Sequence, residues 1–372
     1  MKTVHGRRKF FGVLAATLML VACSRSSDPT STVLSSSPTQ AAAASSGPGA
    51  TDTSKCTVPY GDAPAAIGTL TSSVGSSAAG EILELLNQCT LNGGETLSWT
   101  DANGSSRNAC LWVPANASTT NRLPLLMFTQ GSVAPIPVQL LESNWVSLTA
   151  TADLTGDPAR PGFILLTPLG RNTHHYYPVP DDYGIGWDTW YRNLDRNSPN
   201  LNVDVAAIDE FIRQVEARNI VDKNRVYATG WSNGAAMAQL YALNTPSIAA
   251  SAVYSSPDPY RDIQDPCEQT PFITTLTPLM DIHNSCDIAG ICQTGTKFHQ
   301  DLARMFPTLQ QKSVILGVGQ QQEVAACEDV CAAQDLLTNP GIAAHLIWPV
   351  GWNDAMFAWL REHPLSAKSG QP

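Results

Sequence analysis

The sequence predicts an α/β fold: a mostly parallel central sheet flanked by helices, in a disulfide-containing chain. Three observations carry that expectation. Leu123 to Phe128, Ala252 to Tyr254 and Pro278 to His283 are short, largely apolar runs without polar alternation, the pattern of strands buried on both faces. In "RVYATGWSNGAAMAQLYAL", Arg225 to Leu243, a strand-like run passes through Gly-Trp-Ser-Asn-Gly into apolar residues at helical spacing. Beyond a low-complexity N-terminal stretch, roughly 315 residues remain, a length that suits one large α/β domain, alone or with an N-terminal extension.

Residues 1–22 read as an export signal. Arg7, Arg8 and Lys9 precede an apolar run, Phe10 to Ala22, that is too short to span a bilayer well. The run ends Leu20-Val21-Ala22-Cys23, which resembles a bacterial lipoprotein cleavage box and makes Cys23 the expected lipidation site. An ordinary secretory signal with an incidental cysteine is the other reading. Arg7-Arg8-Lys9-Phe10-Phe11 also resembles a twin-arginine motif, so the export route stays open. Residues 23–54 are mostly Ser, Ala, Thr, Pro and Gly, with too little apolar surface to offset the entropy of ordering. They read as a tether between a lipid anchor and a folded body. Residues 55–106 then form an N-terminal extension, and 107–372 the catalytic domain.

Of nine cysteines, removing Cys23 leaves Cys56, Cys89, Cys110, Cys267, Cys286, Cys292, Cys327 and Cys331, an even set that favours disulfides in an exported chain. Cys286 with Cys292, and Cys327 with Cys331, are pairings to consider from their short spacing. A zinc site is the alternative, but no Cys-x-x-Cys pair or paired-histidine spacing accompanies it. A formal net charge of −10 argues against nucleic acid as a partner.

Gly-x-Ser-x-Gly is weak by itself, but here it sits where a strand becomes a helix. Such a turn holds its middle residue in a strained conformation and needs small flanking residues, so that Ser232 is presented at the carboxyl end of a sheet. A solvated turn serine is the plain alternative. Upstream, the apolar run ends Thr129-Gln130-Gly131-Ser132; the amide of Ser132, with that of Asn233, would make an oxyanion hole. Downstream, the run Pro278 to His283 is followed by Asn284-Ser285-Cys286-Asp287. Asp287 just past a strand end suits the acid that orients an imidazole, and Asp258, after the strand Ala252 to Tyr254, is its rival.

With those residues in view, the segment from about Arg107 to Pro364 resembles the secreted polyhydroxybutyrate depolymerases and the feruloyl or acetylxylan esterases, a family with the α/β-hydrolase fold. The stretches "RNACLWVP" (Arg107 to Pro114), "PLLMFTQG" (Pro124 to Gly131), "GWDTWYRN" (Gly186 to Asn193), "RVYATGWSNGAAMA" and "PLMDIHNSCD" carry the resemblance. It implies a helix from Val203 to Val215 and maps the acid onto Asp287. Gln130 stands where the family usually has histidine, and Asn284 where it has glycine.

Three histidines follow Asp287: His299, His345 and His363. His299 falls in an expected helix from Gly295 to Met305, and His363 ends another from Asn353 to Glu362. That leaves His345, three residues before the Trp348-Pro349 pair and one residue further from it than in the family pattern. If Ala343 to Val350 is the last strand, the loop at its end, Gly351-Trp352-Asn353, has no imidazole, which leaves a structural histidine in an inactive chain as the other reading.

Trp187 and Trp190, with His174, His175 and several tyrosines, form an aromatic-rich segment, and Trp231 adds a third indole beside Ser232. These three tryptophans are expected to bind substrate, with core packing as the alternative. The expected protein is an exported serine carboxylic-ester hydrolase acting on a hydroxycinnamoyl ester, an acetylated sugar or a polyester. It needs no metal or organic cofactor and meets the membrane only through its lipid. The competing class is a surface binding protein on an inactive hydrolase scaffold.

Overall fold

The computed structural model describes residues 89–102, 104, 106–131, 143–172, 185–187, 194, 196–197, 202–260, 272–329 and 341–368. Eight strands form one mixed sheet: β1 (Glu95–Thr100), β2 (Ser106–Trp112), β3 (Leu123–Thr129), β4 (Ile164–Pro168), β5 (Val221–Gly230), β6 (Ala250–Tyr254), β7 (Leu279–Asn284) and β8 (Gln311–Leu316). The order across the sheet is β1-β2-β4-β3-β5-β6-β7-β8. The contacts of β2 with β1 and β4 are antiparallel, and all others are parallel. The described helices are α1 (Trp145–Leu148), α2 (Val203–Glu216), α3 (Asn233–Leu243), α4 (Ile291–Met305), α5 (Gly341–His345), α6 (Asn353–Glu362) and α7 (Leu365–Lys368). No described helix is long and apolar enough to cross a membrane.

The unalternating strands are explained by two cores. Along β3, Leu125 and Met127 face one core with Ile208, Phe211 and Leu240, whereas Leu126 and Phe128 face the other with Trp145, Trp348 and Phe357. Side chains alternate faces along a strand, so covering both faces makes every residue of β3 buried. The sequence elements at Leu123 to Phe128, Val203 to Val215 and Asn353 to Glu362 are present with nearly the expected bounds. All eleven residues of α3 are buried, because the sheet lies against one side and neighbouring segments cover the rest.

Three expectations are corrected or refined. Ala343 to Val350 is not a strand: Gly341–His345 is helical and Val350–Trp352 is a 3-10 turn. The carbonyls a ladder would use are engaged by side chains, Ala344 O by the Tyr254 hydroxyl at 2.7 Å and His345 O by the Trp231 indole at 2.9 Å. Among the described residues Cys89 pairs with Cys110 and Cys292 with Cys327, so neither short-range pairing occurs; Cys286 is disulfide-bonded as well. The segment after β8 doubles back, with Val324 N donating to Ile315 O and Glu328 N to Ser285 O, and this return brings Cys327 to the start of α4. Finally, β1 belongs to the stretch read as an extension, yet it pairs with β2 along its whole length and is anchored by Cys89–Cys110. Disulfides of this kind fit a chain that folds in an oxidising compartment, extracellular or periplasmic.

Candidate active site

The carboxyl ends of β3, β5, β6 and β7 lie side by side, with Thr129 opposite Gly230 and Tyr254 opposite Ile282. In sheets of this kind the crevice beyond the strand ends is the usual place for a site. Ser232 follows β5 with φ 58° and ψ −128°, a conformation L residues rarely adopt, and α3 begins at the next residue. This is the geometry of a nucleophile elbow. Close approach explains both flanking glycines: a Cβ on Gly234 would stand 2.2 Å from Gln130 O and 2.3 Å from Thr129 O, and one on Gly230 2.6 Å from Gly234 O. Backbone atoms on both sides leave no room for a methyl group.

The tertiary structure brings Ser232, His345 and Asp287 together. His345 Nε2 is 2.9 Å from Ser232 Oγ, and His345 Nδ1 is 2.8 Å from Asp287 Oδ1. A carboxylate only accepts hydrogen bonds, so Nδ1 carries the proton and Nε2 is left to accept from the serine. Asp287 Oδ1 also accepts from Ile288 N at 2.8 Å, and Asn284 Oδ1 accepts from Cys286 N at 3.0 Å, so Asn284 closes the turn carrying Asp287. Asp258, the rival, has its Oδ1 bonded to Tyr260 N instead.

The histidine-bearing segment is held from below. Tyr254 OH donates to Ala344 O, and Gln320 Nε2 shares its two protons among Tyr254 OH, Ala344 O and Ile347 O, at 2.8, 3.2 and 2.6 Å. Burial pushes the Tyr254 phenol well above its ordinary range, with the charge of Asp287 adding to it, so the hydroxyl remains a donor. Trp348 makes edge-to-face contacts with Trp145, Trp231 and Tyr254, which packs the chain just after His345 against β6 and α1.

Asn233 is the first residue of α3, where a backbone N–H has no intrahelical acceptor and the helix dipole favours negative charge. Its side chain clasps Trp187: Oδ1 accepts from Trp187 N at 2.6 Å and Nδ2 donates to Trp187 O at 3.1 Å. The Trp187 indole in turn donates to Gln130 O at 2.8 Å. Gln130, with its amide oriented to satisfy both neighbours, accepts from Gly170 N at 3.0 Å and donates to Pro168 O at 3.3 Å. The glutamine thus ties the loop after β3 to the end of β4.

Two substrate-binding expectations need correction. Trp187 and Trp231 are 0% and 2% exposed, with their indole N–H groups bonded to Gln130 O and His345 O. They shape the site from behind and offer no open face to a ligand. Trp190, Ser132 and Cys23 lie outside the described residues, as do His174 and His175. Among the described residues, no group of three His, Cys, Asp or Glu side chains is placed to hold a metal.

Sequence reasoning missed Ser255. Its Oγ donates to Asp287 Oδ2 at 2.5 Å and lies 2.8 Å from His345 Nδ1. The only local signal was its position, directly after the strand Ala252 to Tyr254 and opening the polar run Ser-Ser-Pro-Asp.

No protein-family model matches the sequence, and no curated protein does. Among solved structures, the chain is similar to a thermostable esterase, at 16% identity over 73% of this chain and 63% of that one, with TM-score 0.44. It is similar to a ferulic acid esterase at 12% identity over 72% and 97%, TM-score 0.46. It is also similar to an S-formylglutathione hydrolase from Agrobacterium tumefaciens at 11% identity over 73% and 96%, TM-score 0.44. The chain spans less than two thirds of the first of these. Likeness at this level says nothing of the chemistry, which rests on the geometry above.

Proposed function

We propose that the chain is a serine carboxylic-ester hydrolase with an α/β-hydrolase fold, acting by acyl transfer. The observation that carries this reading is the continuous line of hydrogen bonds from Asp287 through His345 to Ser232 Oγ. His345 Nε2 takes the Ser232 proton as Oγ attacks the ester carbonyl, and Asp287 stabilises the imidazolium that forms. The oxyanion develops beside the amide of Asn233, with Ser132 the proposed second donor. His345 then returns the proton to the departing alcohol, and water releases the acyl group by the same path in reverse.

The proposed substrates are a hydroxycinnamoyl ester, an acetylated sugar or a polyester, with Trp190 the aromatic proposed to meet them. The chain is further proposed to be exported and held at the cell envelope by a lipid on Cys23, with residues 23–54 as the tether. The ordered hydrogen bonds from Asp287 through His345 to Ser232 Oγ speak against an inactive binding scaffold.

A fluorophosphonate probe tests the chemistry, because it labels only an activated hydroxyl. Labelling at Ser232 together with turnover on a panel of the three ester classes is the expected result, and the relative rates identify the substrate. Absence of both labelling and turnover overturns the reading.

A further inference from the structure

Two consecutive residues at the end of β6 touch every member of the catalytic line. Tyr254 O accepts from Ser232 N at 3.1 Å, and its hydroxyl holds Ala344 O, the carbonyl preceding His345. Ser255 is fully buried and stands at φ 57°, held there in part by its N–H, which donates to Ile282 O at 2.8 Å. This left-handed turn aims Oγ at both Asp287 Oδ2 and His345 Nδ1. A serine is an uneasy occupant of that conformation; glycine or asparagine would adopt it at lower cost.

We infer that Ser255 is a positioning residue of the catalytic line: its hydroxyl donates to the acid and accepts from the imidazole, fixing both in one arrangement. The inference rests on the hydrolase reading above and deepens it. Asp287 is buried, and the imidazole and the Ile288 amide bond only its Oδ1. Ser255 gives Oδ2 its donor, and a buried carboxylate oxygen without one is costly. Since Ser255 gives its single proton to Oδ2, its lone pair is free to accept the Nδ1 proton in a shared bond with Asp287 Oδ1. The shared bond prevents the imidazole from rotating about its plane and secures the tautomer in which Nε2 is the base. When the imidazolium forms, both acceptors face the proton it has retained.

The test compares wild type, Ser255→Ala and Ser255→Gly, with Ser232→Ala as the inactive control. Glycine removes the hydroxyl yet adopts φ 57° without strain, so it carries the test even where alanine disturbs folding. Both variants are expected to lose roughly 10- to 100-fold in kcat and in fluorophosphonate labelling rate, the equivalent of a hydrogen bond to a charged group, with KM nearly unchanged. The low-field imidazole Nδ1–H resonance should shift in both. A folded Ser255→Gly enzyme with wild-type kcat and an unmoved resonance overturns the inference while leaving the hydrolase reading intact. A wild type that neither turns over esters nor labels overturns the hydrolase reading, and the resonance comparison still decides whether Ser255 holds the imidazole.

Discussion

His345 Nε2 lies 2.9 Å from Ser232 Oγ although the two residues are 113 positions apart in the chain. If they act as one unit, His345→Ala and Ser232→Ala should each lower kcat by roughly 10⁴- to 10⁶-fold, and the double variant should be little worse than either. His363→Ala, whose ring nitrogen bonds Trp359 O away from the site, should retain activity. Steady-state kinetics on one soluble ester decides it: an active His345→Ala enzyme beside an inactive Ser232→Ala would move the general base elsewhere.

Gly234→Ala should be far more damaging than a surface glycine change. The new methyl would meet two backbone carbonyls at 2.2 and 2.3 Å, and neither can rotate away as a side chain could. Overpacking of this kind costs about 3 kcal/mol or more and would push α3 off the loop after β3. Chemical denaturation should show the loss, with activity falling in step; wild-type stability in this variant would mean that the elbow is looser than described.

A buried acid on β7 predicts a pH signature. Asp281 Oδ2 accepts from Gln239 Nε2 at 2.7 Å and lies 3.2 Å from His299 Nε2 and from His283 Nε2. Burial alone would raise the Asp281 carboxyl, but His283 and His299 hold it well below the carboxylate range. Burial alone would likewise lower His283, but Asp281, with Asp287 beyond it, holds the imidazole above its ordinary value.

The signs follow from linkage. The depressed acid stabilises the fold above its unfolded value and loses that effect as pH falls through the folded one. The raised histidine stabilises fully below about pH 6.5 and loses that effect as pH rises through its folded value. Asp281→Asn should therefore cost more stability at about pH 5.5 than at about pH 9, as read by urea denaturation at both. A penalty independent of pH would show that the pair is not charged in the folded state.

Cys23→Ser tests the anchor. If a lipid on this residue is the proposed membrane attachment, the variant should move from the membrane pellet to the soluble fraction. A processed variant that remains in the pellet after a high-salt wash would require another attachment.

Much of this architecture was legible along the chain because it depends on short-range physics. Strands buried on both faces read as unbroken apolar runs at Leu123 to Phe128 and Pro278 to His283, and the helix expected from Asn353 to Glu362 is present with those bounds. Gly230 and Gly234 around Ser232 read as a tight strand-to-helix turn, because only a missing side chain admits backbone on both sides. Those features show in composition and periodicity within a few residues, so their signals are local even where the backbone they make room for, as at Gly234, comes from Thr129 and Gln130.

What the tertiary structure alone decided was everything set by groups far apart in sequence. A last strand through His345 was one way to read Ala343 to Val350; in the fold His345 sits on a short helix, and Tyr254, Gln320 and Trp231 take carbonyls that a ladder would have used. Cys292 meets Cys327 because the chain doubles back after β8, not because of spacing. Trp187 and Trp231 looked like cleft-lining aromatics, but contacts with Asn233, Gln130 and His345 turn them inward. Ser255 left almost no mark on the sequence, since a serine after a strand is unremarkable until a left-handed turn aims its hydroxyl at two groups brought in from elsewhere. Periodicity and turn composition are written within one turn of chain, whereas hydrogen-bond partners are chosen only once the sheet has set its strand ends side by side.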